Sequence, residues 1–163
     1  MEIVYRDPID EMAALGMPFP QEIIINHGAA LAIWGIRPEH SAGDIDAATN
    51  LENNQYLEAE LGFTALQMVV GTSDDGKERT VVSRRDISER FDIHRWDFSM
   101  WRYNRTGKGR MYLPELGSMS VQDSQTGIWI ATPELVRLTK LETNRKKDED
   151  DVVLIDEYLA NAA

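Results

Sequence analysis

The sequence predicts an α/β or α+β fold, in which a small mixed sheet is flanked by helices and the chain ends in further helices. Short β-branched or alternating runs recur along the chain, helical segments with recognisable ends separate them, and residues 132–163 carry mainly helical patterns. With 163 residues, of which 42% are apolar, the chain can bury a sizeable core. We expect one domain over 1–163, with its core at about 20–131.

The first half of the chain alternates between helix and strand. The expected elements are a helix at 9–15, a buried strand at 23–25, a helix at 29–35, a turn at 38–43, a strand at 43–49, a helix at 51–61 and a strand at 66–70. The run at 23–25 could equally be the first turn of the segment before Gly28. Asn50 is a suitable helix cap, and Gly62 a suitable helix end.

The second half begins with strands and ends with helices. The expected elements are a polar loop at 72–77, strands at 80–83 and 90–96, an irregular segment at 99–117, a hairpin at 119–131, a helix at 133–143, a charged turn at 144–150 and an amphipathic helix at 152–159. Alternation in the strand at 90–96 places Asp92 and His94 on one face. Thr132 followed by Pro133 is typical of a helix start.

The composition excludes several classes of site. The absence of cysteine excludes disulfides, thiolate zinc sites and cysteine nucleophiles, and it fits a cytoplasmic protein. No apolar run has the length of a membrane helix and the N-terminus has no signal-peptide pattern, so we expect no membrane partner. The net charge of −11 argues against bulk electrostatic capture of nucleic acid.

The charge is unevenly distributed along the chain. Residues 1–76 hold two basic and 13 acidic residues, whereas residues 77–163 hold 15 of each. Within 79–110, nine basic residues stand against four acidic ones. This stretch is either a local basic face that could contact RNA or a solvated surface with mixed pairs.

Two carboxylates at Asp44 and Asp46 are the first candidate for chemistry. Residues two apart on a strand point to the same face, so both side chains would project together. Mg²⁺ prefers oxygen ligands and commonly takes one or two carboxylates together with substrate phosphates. The motif therefore indicates metal-dependent phosphoryl or nucleotidyl transfer, although the two aspartates could also simply flank a turn.

The surrounding residues resemble a known family. One segment is His27-Gly28-Ala29-Ala30-Leu31-Ala32-Ile33-Trp34-Gly35-Ile36-Arg37, and Asp44-Ile45-Asp46 follows it. Together they resemble the glycine-opened helix, the arginine and the Asp-x-Asp motif of the minimal nucleotidyltransferases of the polymerase-beta-like superfamily. The similarity is greatest to the abortive-infection and type IV toxin branch. Lys140 and the run 145–151 resemble the closing motif of the same family. The chain departs from the family at His27, where a glycine is usual, and in its longer turn between Arg37 and Asp44.

The resemblance implies a nucleotidyltransferase-like fold and a set of site residues. Three carboxylates would hold one or two Mg²⁺ ions: Asp44, Asp46 and Asp92. Asp92 could instead be the base for the attacking hydroxyl, and Asp86 and Asp97 are its rivals as third carboxylate. Three further residues would contact the triphosphate: Gly28, Arg37 and Lys140. Asp148 matches a motif carboxylate that pairs with Lys140, with Lys147 or with the acceptor.

The implied activity is transfer of a nucleotide from an NTP to a hydroxyl of RNA, such as a tRNA end, or of a protein. A cognate antitoxin would then be a partner. Two alternatives remain open: an inactive module of the same fold that binds a protein partner, and a phosphohydrolase using the same carboxylates. The histidines show no zinc-ligand spacing, so we expect His27, His40 and His94 to be structural or on the surface.

Overall fold

A computed structural model describes residues 1–38, 43–72, 78–95, 102–103, 110–111, 119–143 and 146–162. The helices are α1 (Asp7–Ala14), α2 (His27–Ile33), α3 (Leu51–Ala59), α4 (Pro133–Thr143) and α5 (Lys146–Ala162), with a 3₁₀ turn at Pro20–Glu22. The strands are β1 (Ile23–Asn26), β2 (Ile45–Thr49), β3 (Thr64–Thr72), β4 (Glu78–Arg85), β5 (Phe91–Arg95), β6 (Arg102–Tyr103), β7 (Arg110–Met111), β8 (Ser120–Gln122) and β9 (Trp129–Ala131). No helix among these residues combines the length and apolar character that a bilayer crossing requires.

Seven strands form one mixed sheet in the order β3-β4-β5-β2-β1-β9-β8. Neighbours pair antiparallel except β2 with β5 and β1 with β9, which run parallel. A separate two-stranded pair joins β6 and β7. The predicted α+β class, with a mixed sheet flanked by helices and helices at the C-terminal end, is confirmed.

The core surrounds β1 and α2. The run at 23–25 is a strand and not a helical turn, and all four residues of β1 are buried because the strand lies inside the sheet. In α2 every residue after His27 is buried, as expected of a helix that is apolar all round. Trp34, just past α2, donates its indole N–H to the Ala131 carbonyl at 2.8 Å and so ties α2 to β9.

Local signals placed several elements correctly. Asn50 caps α3 by accepting a hydrogen bond from the Asn53 N–H at 3.0 Å. Thr132 accepts one from the Leu135 N–H at 3.3 Å at the start of α4. The predicted hairpin is β8 paired antiparallel with β9.

Several predicted boundaries are wrong, among them the helix at 29–35, which is His27–Ile33, and the strand at 66–70, which is Thr64–Thr72. β2 begins at Ile45 instead of 43, because Gly43 adopts a positive φ of 63° and so turns the chain before the strand. The predicted charged turn at 144–150 is helix from Lys146 onward. Asp148 and Glu149 lie in the first turn of α5, where the helix dipole favours negative charge. Parts of the predicted turn at 38–43, loop at 72–77 and irregular segment at 99–117, and Trp96, lie outside the described residues.

Candidate metal centre and a buried ion network

Two of the three predicted carboxylates lie side by side. Asp46 on β2 is the register partner of Asp92 on the parallel strand β5. Partners on adjacent strands project from the same face, and the strands lie about 4.8 Å apart. Asp92 is 5% exposed, whereas Asp46 is half-buried. The sheet therefore brings together two acids that are far apart along the chain.

The rival third carboxylates are placed differently. Asp86 lies in the turn between β4 and β5, where it accepts a hydrogen bond from the Phe91 N–H at 2.8 Å. That bond fixes the start of β5, so Asp86 has a structural role in the turn. Asp97 lies outside the described residues.

His94 joins the two aspartates. It lies two residues beyond Asp92 on β5, and its Nε2 is 3.6 Å from Asp92 Oδ1. One ligand atom from each of Asp46, Asp92 and His94 can be chosen so that all three lie within 4.8 Å of one another. We call these three residues the carboxylate–histidine cluster. The donor set of two carboxylates and one imidazole is suitable for a divalent cation.

One cation of the protein already contacts this cluster. Arg85 on β4 is the register partner of Asp92, and its Nη2 donates to Asp92 Oδ2 at 2.9 Å. The other oxygen of Asp92, Oδ1, faces His94.

Asp44 lies apart from the cluster. It precedes β2, its side chain is exposed, and it is not in the group of ligand atoms formed by the other residues. Arg90 holds this segment by donating hydrogen bonds to the Gly43 carbonyl and, at 2.6 Å, to Glu11 on α1. The hydrogen bond to Glu11 raises the pKa of Arg90, and the nearby charge of Asp44 raises it further. The register thus places Asp46, but not Asp44, next to Asp92.

The start of α2 lies next to Asp46. Asn26 is the register partner of Asp46, and its side chain caps α2 by accepting from the His27 N–H at 2.7 Å. His27 has a positive φ of 55°, a conformation that glycine adopts most easily. The turn into α2 is therefore made with a residue that carries a side chain in a conformation that favours glycine. Gly28 follows as a buried residue of α2.

Lys140 and Asp148 meet in the protein interior. Lys140 Nζ lies 3.3 Å from Asp148 Oδ1 and 3.0 Å from Asp151 Oδ2. Arg37 Nε lies 3.7 Å from Asp151 Oδ1. Lys140, Asp148 and Asp151 are 4%, 1% and 6% exposed. We call these four residues the buried ion network; its formal charges, two positive and two negative, sum to zero.

Asp148 pairs with Lys140, one of the partners considered from the sequence. Its pairing with an acceptor stays a prediction. Lys147 is exposed. The contacts of Arg37 and Lys140 with these acids fix the C-terminal helices to the segment after α2. Binding of a triphosphate by Arg37 and Lys140 stays a prediction.

The basic stretch at 79–110 is described only in part. Three of its arginines have described side chains, and each pairs with an acid: Arg84 with Glu58 at 2.9 Å, Arg85 with Asp92 at 2.9 Å and Arg90 with Glu11 at 2.6 Å. The other six basic side chains lie outside the described part. For the three arginines, mixed ion pairs describe the surface better than an uncompensated basic face.

Sequence reasoning missed three residues of these sites. His94 was assigned a structural or surface role, although its spacing from Asp92 on an alternating strand already placed both on one face. Asp151 is three residues from Asp148, a spacing that brings both to one side of a helix. Arg85 gave no signal, because only the pairing of β4 with β5 brings it to Asp92.

Comparison with protein-family models gave no match, and comparison with curated proteins and with solved structures gave none either.

Proposed function

We propose that this protein is a divalent-metal-dependent nucleotidyltransferase that transfers a nucleotide from an NTP to a hydroxyl acceptor. The observation that supports it best is the pairing of Asp46 with Asp92 on adjacent parallel strands, beside the start of α2. The resemblance of residues 27–46 to a nucleotidyltransferase motif adds an independent argument, since that motif names Asp46 as a metal ligand.

The proposed roles follow from the chemistry of the residues. A divalent ion bound by Asp46 and Asp92, with Asp44 as a further ligand when substrate is present, would neutralise charge that develops on the triphosphate. The acceptor oxygen would form a bond to the α-phosphorus, and the bond from that phosphorus to pyrophosphate would break. Asp92 could alternatively accept the proton of the attacking hydroxyl. The resemblance implies that Gly28, Arg37 and Lys140 contact the triphosphate. Arg37 and Lys140 would have to exchange their ion pairs with Asp151 and Asp148 for the phosphates.

The acceptor is proposed to be RNA, such as a tRNA end, or a protein, within a toxin–antitoxin or phage-defence system. The ion pairs of Arg84 and Arg85 lower the positive potential that they could offer to a phosphate backbone. An RNA acceptor would therefore need the remaining basic residues of 79–110. Charge reversal at three of these remaining residues, Arg102, Arg105 and Lys108, tests this: RNA binding that survives the change argues against this stretch as the RNA surface.

A labelling assay tests the proposal. The wild type and Asp46→Asn are incubated with each NTP labelled at the α-phosphate, with Mg²⁺ or Mn²⁺, total RNA and lysate protein. We expect label on RNA or protein with the wild type only. Glu89→Gln, an exposed acid in the turn before β5, is the matched control and should transfer label normally. Release of phosphate or pyrophosphate without a labelled acceptor would instead indicate a phosphohydrolase.

The second candidate is an inactive module of the same fold that binds a protein partner. The ion pair between Arg85 and Asp92 favours it, because an arginine already neutralises the buried acid of the cluster. His27 at a position that the family fills with glycine is consistent with it. Absence of both label transfer and metal-dependent NTP binding in the wild type would support this candidate over the transferase.

A further inference from the structure

His94 gives the candidate metal centre a nitrogen donor. The imidazole lies on the same sheet face as Asp46 and Asp92, and its Nε2 is 3.6 Å from the nearer oxygen of Asp92. His94 is mostly buried, with a side chain that is 19% exposed. The nitrogen is therefore held beside the carboxylates by the strand itself.

The spacing of the three side chains suits one ion. When two ligand atoms each lie about 2.1 Å from a metal ion, they can be at most about 4.2 Å apart, even on opposite sides of the ion. The 3.6 Å between His94 Nε2 and Asp92 Oδ1 satisfies this limit. All three ligand atoms lie within 4.8 Å, so a small rotation of the half-buried Asp46 would complete the set.

The nature of the donors decides which ion is preferred. Mg²⁺ is a hard cation that takes oxygen ligands and gives up its waters reluctantly. First-row transition cations accept imidazole nitrogen as well, and Mn²⁺ also retains a preference for carboxylates. We propose that Asp46, Asp92 and His94 form a mixed oxygen–nitrogen metal site that binds Mn²⁺ in preference to Mg²⁺.

Arg85 has a positioning role in this site. It holds Asp92 Oδ2 at 2.9 Å and leaves Oδ1 directed towards His94. Hydrogen-bonded partners of this kind orient metal-ligating carboxylates in many proteins. The positive charge of Arg85 also reduces the attraction for a cation, so Arg85→Gln should change Mn²⁺ affinity without removing the nitrogen ligand.

This inference rests on the proposed function only for the role of the metal in catalysis, because metal binding itself is measured without nucleotide. Metal-free protein is titrated with MnCl₂ and, separately, with MgCl₂ by calorimetry. We expect Mn²⁺ to bind at least about tenfold more tightly than Mg²⁺. His94→Gln should weaken Mn²⁺ by at least about tenfold, because loss of even an outer-shell partner costs about 10- to 100-fold. His94→Asp should move the preference back towards Mg²⁺.

A spectroscopic measurement keeps the test independent of variants that fail to fold. Pulsed electron paramagnetic resonance of Mn²⁺ bound to the wild type should show coupling to an imidazole ¹⁴N. His27→Gln, which removes another histidine, should retain that coupling. Absence of the nitrogen signal in the wild type, equal affinities for the two cations, or no Mn²⁺ binding would each overturn the inference.

The outcomes separate this inference from the proposed function. Mn²⁺ bound with the nitrogen signal but no label transfer would support the metal site and contradict the transferase. Label transfer with Mg²⁺ and no effect of His94→Gln on the Mn²⁺/Mg²⁺ preference would support the transferase and contradict the mixed site.

Discussion

The carboxylate–histidine cluster and the buried ion network both hold paired acids, but their charges are balanced differently. In the network, Arg37 and Lys140 match the two carboxylates of α5, so the formal charges sum to zero. In the cluster, Arg85 pairs with Asp92, and a second carboxylate, Asp46, lies beside Asp92 in register on the same sheet face.

We expect the network to stabilise the fold and the cluster to bind a cation. Buried ions are tolerated when partners and hydrogen bonds compensate their desolvation, as in the network. Two carboxylates and an imidazole that converge on one sheet face are instead a donor set suited to a cation.

Lys140→Met should have the largest effect on stability. The substitution leaves Asp148 and Asp151 without the shared ammonium in the interior, and loss of one partner from a buried ion pair costs about 3–5 kcal/mol. Urea denaturation measures the free energy of unfolding. Arg137→Met is the matched control, because Arg137 also joins α4 to α5 but its pair with Asp156 is exposed, and it should cost at most about 1 kcal/mol. Equal losses in the two variants would contradict the structural role of the network.

Asp151→Asn should destabilise the fold by about 1.5–3 kcal/mol, the usual contribution of a hydrogen bond to a charged group. The amide keeps the shape of the side chain but removes the charge that faces Lys140 and Arg37. Asp150→Asn on the same helix is exposed and should stay within about 0.5 kcal/mol of the wild type. Thermal melting of both variants at one pH makes the comparison. If Asp151→Asn causes no loss of thermal stability, the network is not charge-balanced as described.

Acid should remove about 2 kcal/mol of stability through a third site, the ion pair of Arg6 with Asp123. Arg6 donates two 3.0 Å hydrogen bonds to Asp123 and lowers the pKa of that carboxyl from 3.8 to about 2. Because the folded pKa is the lower one, the stabilisation is complete above pH 3.8 and is lost as pH falls towards 2. Denaturation series between pH 5 and about 2 for the wild type and Asp123→Asn measure it. The stability difference between them should shrink over that window, and a constant difference would contradict the assignment.

Asp46→Asn should raise the stability of the metal-free protein by up to about 1 kcal/mol, the opposite sign to Asp151→Asn. The reason is that Asp46 and Asp92 are like charges in direct register. The gain should decrease in high salt, which screens the half-exposed charge of Asp46. Urea denaturation at low and high salt checks both expectations. A loss of stability would show that the other contacts of Asp46 outweigh the repulsion.

Local signals in the sequence determined much of the fold. Alternation predicted β5 and the face shared by Asp92 and His94, caps at Asn50 and Thr132 fixed the starts of α3 and α4, and periodic apolar residues predicted the C-terminal helix. These features depend on residues a few positions apart, so they can be read from the chain directly. Strand β2 was predicted two residues too long because the turning conformation of Gly43 leaves no clear pattern in the sequence.

Tertiary structure alone decided which charges meet. The sequence named Asp46, Asp92, Lys140 and Asp148, but strand register brought Asp46 to Asp92 and left Asp44 outside the cluster. Helix packing and strand pairing likewise brought Arg37 to Asp151 and Arg85 to Asp92. These contacts join residues that are distant in sequence, and their geometry is set by how sheet and helices bury their apolar faces. Residue types therefore indicated which chemical groups the chain contains, whereas packing determined which of those groups lie close enough to act together.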